Sequence, residues 1–76
     1  MKFLTTLIIP GKPKAKEFDR EIEATSPDQA AELAEKYWRA NWNGPAVTSE
    51  ACIYVYGYKP DSGELDKQVL WNRIIP

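Results

Sequence analysis

Apolar residues occupy both parities of residues 2–9: Phe3, Leu7 and Ile9 on one, Leu4 and Ile8 on the other. With no breaker before Pro10, this predicts a strand covered on both faces, and therefore central in its sheet. Pro10, Gly11 and Pro13 predict a loop over 10–16. Residues 17–25 then alternate. Phe18, Ile22 and Ala24 share one parity, interrupted by Arg20, while Glu17, Asp19, Glu21 and Glu23 share the other. Period two predicts a half-buried strand with an acidic outer face. The Arg20 stem would cover apolar surface at the sheet margin and send its head to water.

The period changes at Ser26. Ser26 is a suitable N-cap, Pro27 suits the first helical position, and Gln29 completes a capping box. Ala30, Leu33, Ala34, Tyr37, Trp38 and Asn41 follow the spacing of one buried helical face. Asp28, Glu32, Glu35, Lys36 and Arg39 line the opposite face, where Glu32–Lys36 and Glu35–Arg39 form i,i+4 pairs. Asn43, Gly44 and Pro45 end the helix, which is predicted over 27–42, and Trp42 packs at its end.

Residues 51–58 form the third predicted strand. Ala51, Ile53 and Val55 lie on one face, and Cys52, Tyr54, Tyr56 and Tyr58 on the other. Pro60 to Gly63 predict a four-residue hairpin loop, returning a fourth strand over 64–75. Pairing Lys59 with Glu64 sets Tyr58 opposite Leu65, Tyr56 opposite Lys67, Tyr54 opposite Val69 and Cys52 opposite Trp71. A bulge at Gly63 would move every pair to the other face, and the unbulged register is preferred. The expected fold is α+β with ββαββ order, a four-stranded antiparallel sheet with one helix on one face. Ile53, Val55 and Leu70 should lie under the helix.

Length and composition narrow the function. The chain has 76 residues, room for a single domain over 1–76, and a net charge of −1. A fold this small leaves much apolar surface exposed, so a partner or a second copy would help to stabilise it. Cys52 is the sole cysteine, which excludes an internal disulfide and fits a reducing cytosol. With no histidine, the commonest metal ligand and general base are missing, and no metal or cofactor is expected. The short apolar run before Pro10 is followed by no cleavage-type sequence, and no stretch is long enough to span a membrane. The expected setting is the cytoplasm, with no membrane partner.

Three features could carry function. Glu17, Asp19, Glu21 and Glu23 stand about 6–7 Å apart along one strand. They lack the cleft and the opposed carboxylates that glycosidic chemistry needs, so no catalytic residue is assigned. Like charges on an edge strand deter wrong pairing, and they also attract a basic partner. Tyr54, Tyr56 and Tyr58 would share a face with Lys67 and Trp71. Such tyrosines can cover a sheet or form its core; exposed, they make interface anchors or base-stacking platforms. Lys12, Lys14 and Lys16 form a solvated loop tip or a shallow phosphate contact.

The segment from Ala24 through Ser26, Pro27, Asp28 and Gln29 to Ala34, set between a strand pair and a terminal hairpin, resembles tiny orphan proteins of phages and mobile elements. In plan the chain is similar to small anti-CRISPR proteins. That resemblance implies a non-enzymatic inhibitor that binds a host nucleic-acid-binding complex and blocks nucleic-acid access, in the bacterial cytoplasm if phage-encoded. The expected partner surface is Tyr54, Tyr56, Tyr58, Lys67 and Trp71 with the acidic strand. Direct nucleic-acid binding through the lysine loop and stacked tyrosines is the alternative, and a homodimer is also open.

Overall fold

A computed structural model describes residues 1–13, 15–41 and 51–74. Strands β1 (Lys2–Ile8), β2 (Asp19–Glu23), β3 (Cys52–Tyr58) and β4 (Leu65–Ile74) form one antiparallel sheet in the order β2-β1-β3-β4. Helix α1 (Pro27–Asn41) lies between β2 and β3 in sequence and packs across one sheet face. This is the α+β, ββαββ arrangement. β1 is central, as its two apolar parities require: Phe3, Thr5 and Leu7 are buried, and Leu4 and Ile8 are half-buried.

Both hairpin turns use glycine where the backbone needs it. The Lys12 N–H donates to the Ile9 carbonyl at 3.1 Å, and Gly11 has φ +81°. Pro10 and Gly11 thus occupy the two central positions of a type II turn. At the second turn Gly63 has φ +72°, and its N–H donates to the Lys59 carbonyl at 2.8 Å. The Lys59 N–H donates to the Glu64 carbonyl at 2.7 Å, closing the four-residue loop.

The acidic strand begins later than its alternation predicts. Lys16–Phe18 form a 3-10 turn, closed by the Phe18 N–H on the Ala15 carbonyl at 3.0 Å. The turn delivers Phe18 to the core, with its ring centroid 6.2 Å from that of Trp38. Glu17 therefore leaves the ladder, while Asp19, Glu21 and Glu23 remain on it.

The helix starts where its cap predicts, but the capping box closes one residue earlier. Ser26 Oγ accepts from the Gln29 N–H at 3.4 Å. Gln29 Oε1 accepts from the Thr25 N–H at 2.6 Å and from its hydroxyl at 2.9 Å, so the reciprocal half rests on Thr25. The buried face is also turned from the expected one. Ala30, Ala31, Ala34 and Trp38 are buried, whereas Leu33 is 39% exposed. Small side chains at 30, 31 and 34 let the helix approach the sheet closely, and contacts on both flanks hold the roll. Arg20 of β2 stacks on the Tyr37 ring, 3.8 Å from its centroid. On the other flank Arg73 Nε of β4 donates to Glu35 Oε1 at 2.9 Å. Beneath lie Phe3, Leu7, Ile53 and Val55. The predicted helix end at Trp42, Asn43, Gly44 and Pro45 lies outside the described residues.

The β3–β4 register corrects the expected one. Tyr58 pairs with Leu65, so the turn introduces no shift, but two shifts occur within the strands. Between the Tyr58–Leu65 and Tyr56–Val69 pairs, β4 takes four steps where β3 takes two, and Val55 pairs with Trp71. Beyond that, Tyr54 pairs with Asn72, Ile53 with Arg73 and Cys52 with Ile74. The cause is local. Gly57 offers no side chain, and a Cβ there would stand 2.9 Å from Leu70 Cδ1. Leu70 occupies that bare surface, and β4 bulges to let it do so. Leu70 therefore covers Gly57 and is 44% exposed, instead of lying under the helix with Ile53 and Val55.

Candidate protein-binding face

Antiparallel partners share a sheet face, so the register assigns each predicted site residue to a side. Phe3, Thr5, Leu7, Ile53 and Val55 are buried on the helix side. Tyr54, Tyr56 and Tyr58 therefore project from the opposite face, next to Thr6 and Leu4 of β1. Leu4 pairs with Glu21 on its other flank, and Thr6 with Asp19. The structure thus brings the tyrosine row and three carboxylates, Asp19, Glu21 and Glu23, onto one face. Sequence periodicity identified each row but could not show that both share a side.

The face is interlocked across three strands. Tyr58 donates its hydroxyl proton to Glu21 Oε1 at 3.2 Å. Lys2 Nζ approaches Glu21 Oε2 to 3.6 Å and stands 4.8 Å from the Tyr58 ring centroid. The N-terminal ammonium donates to Glu23 Oε1 at 2.8 Å. Burial, then the charge of Glu21 and the hydrogen bond to it, push the Tyr58 phenol above its ordinary 10.0. Glu21 thus faces Lys2 of β1, and Glu23 faces the ammonium of Met1. The ladder is a set of cross-strand pairs more than a bare negative surface, which reduces its attraction for a basic partner.

Among the described residues, the β1–β2 connection reaches this face. Ala15 and Lys16 border a shallow depression of about 300 Å³, lined also by Leu4, Thr6, Asp19 and Tyr56. Cys52 lies on the same face, half-buried, and burial pushes its thiol above the ordinary 9.0.

Two expected members, Trp71 and Glu17, are elsewhere, and Lys67 stands outside the ladder pairs. Trp71 pairs with Val55, which places it on the helix side, 46% exposed at the sheet edge. The shift at Leu70 moved it there, because one extra residue reverses the face of every residue beyond it. Lys67 falls in the irregular stretch between the Leu65 and Val69 pairs. Glu17 belongs to the 3-10 turn. Lys12 and Lys16 are exposed, and Lys14 lies outside the described residues.

Sequence reasoning did not assign Leu4 or Ile8 to the face, although Leu4 lies between Tyr56 and Glu21. Val69, expected opposite Tyr54, is on the face but pairs with Tyr56. The apolar residues on the even parity of β1 were the available signal. No group of three or more metal-ligating side chains occurs among the described residues, and no described helix is long and apolar enough to cross a membrane. No family model matches the chain, and neither a curated protein nor a solved structure matches it.

Proposed function

We propose that this chain is a non-enzymatic protein-binding module whose contact surface is the sheet face opposite α1. The observation that carries this reading is the tyrosine row with its apolar neighbours. Tyr54, Tyr56 and Tyr58 line one strand, each half-buried, flanked by Leu4 and Val69. Tyrosines on a preformed strand give large contact area with little side-chain entropy to lose. The plan resembles phage-type inhibitors, and the partner we assign is a host nucleic-acid-binding complex in the bacterial cytoplasm. Affinity capture from a bacterial lysate, with and without nuclease, tests the assignment. Recovery of the same protein complex under both conditions supports it, and recovery lost on nuclease treatment overturns it.

A second reading draws on one observation, Lys16 beside Tyr56 at the depression. A cation next to a stacking ring is the arrangement of single-strand readers. Asp19 on the same rim and the carboxylates of Glu21 and Glu23 oppose a phosphate backbone, so nucleic acid ranks second.

A further inference from the structure

The two sheet edges are built differently. The β2 edge is five residues long, and Asp19, Arg20, Glu21 and Glu23 charge four of them. The β4 edge is ten residues long, contains no proline, and is uncharged from Gln68 to Asn72. Of the seven large apolar residues exposed among the described residues, five are on β4: Leu65, Val69, Leu70, Trp71 and Ile74. A short charged edge repels strand addition, whereas a long apolar one invites it.

We propose that β4 pairs with β4 of a second copy of this chain, antiparallel, about a two-fold axis at Asn72. The bulges limit where pairing can occur. Between Leu65 and Trp71 the strand is irregular and cannot present a straight ladder. From Trp71 to Ile74 it pairs with β3 one residue to one residue, so this stretch is the usable edge. Charge then selects the register. An axis at Arg73 would oppose two arginines, and an axis at Trp71 would run the ladder into the bulge at Leu70. With the axis at Asn72, Trp71 faces Arg73 of the other copy, twice, and the two Asn72 residues face each other.

The faces agree with this register. Trp71 and Arg73 pair with Val55 and Ile53, so both lie on the helix side and can meet across the axis. Glu35 already holds the Arg73 guanidinium at 2.9 Å, fixing it at the edge for the Trp71 indole of the second copy to stack upon. The resulting eight-stranded sheet carries both helices on one side and joins the two tyrosine faces on the other. So few pairs make a weak interface, with dissociation in the micromolar range.

Sedimentation equilibrium across protein concentrations, with Asn72→Lys and Asn72→Asp variants, tests the axis directly. Each variant sets like charges face to face and should weaken the dimer on the order of tenfold or more. An equimolar mixture of the two variants should restore it, because Lys then faces Asp. Circular dichroism matching the wild type controls for folding. A wild type that stays monomeric throughout, a lone Asn72→Lys variant that dimerises normally, or a mixture that fails to recover each overturns the proposal.

Discussion

Glu35 joins the helix to the sheet edge. Its side chain is 15% exposed and accepts from Arg73 at 2.9 Å and from Arg39 at 3.2 Å. The hydrogen bond from Arg73 holds its carboxyl below the ordinary 4.5, against burial, which acts to raise it; Arg39 adds to the lowering. A carboxyl lowered on folding contributes stability that is full above its ordinary value and is lost as pH falls through the native one. Glu35→Gln should therefore cost about 1 kcal/mol at neutral pH. Urea denaturation should show that difference closing as pH falls below 4.5. A pH-independent difference would mean that the carboxylate charge is not what Arg73 recognises. Tyr58 has the opposite sign. Its phenol is raised on folding, so its contribution is full below 10.0 and is lost as pH rises through the native value. Replacing Glu21 by Gln should lower the Tyr58 value, followed by the shift of its ring signals on alkaline titration.

The elements tell how the helix is seated. Ala31 is fully buried and Leu33 is at the margin. Ala31→Leu should therefore overpack the interface and cost about 1–3 kcal/mol. Leu33→Ala should cost less, because a side chain already in part-contact with water loses little transfer energy. Thermal melts of the two variants give the order, and the reverse order would restore the face that periodicity alone predicts. That face was nearly legible. The spacing identified Ala30, Ala34 and Trp38, but roll about the helix axis is decided by the flanking Arg20–Tyr37 and Arg73–Glu35 contacts, which no local pattern records. The strands follow the same division. Pro10–Gly11 and Pro60–Gly63 announced their turns, and both apolar parities of 2–9 announced the central strand. The β4 register was not legible, since it depends on Leu70 finding the bare surface of Gly57 across the sheet. The tyrosine face was readable from alternation in 51–58, while Trp71 was misplaced by the same bulge.

At the scale of the molecule, α1 covers one side of a four-stranded sheet, and the other side carries a row of half-buried tyrosines. Chelator treatment should leave the melting temperature unchanged, since the described residues supply no ligand cluster whose loss could unfold the chain. A fall of several degrees would reveal a bound ion in the folded state. The central claim is that the tyrosine face makes the functional contact. Its most direct test is equilibrium binding of the captured partner by the wild type, the Tyr54→Ala/Tyr56→Ala variant and the Lys12→Ala/Lys14→Ala/Lys16→Ala variant. Thermal melts first establish that both variants are folded. The tyrosine variant should lose about 2 kcal/mol or more of affinity, as interface anchors do. The lysine variant should lose less and chiefly change the salt dependence. A folded tyrosine variant that binds normally, beside a lysine variant that does not, would contradict the account and put nucleic acid in the partner's place.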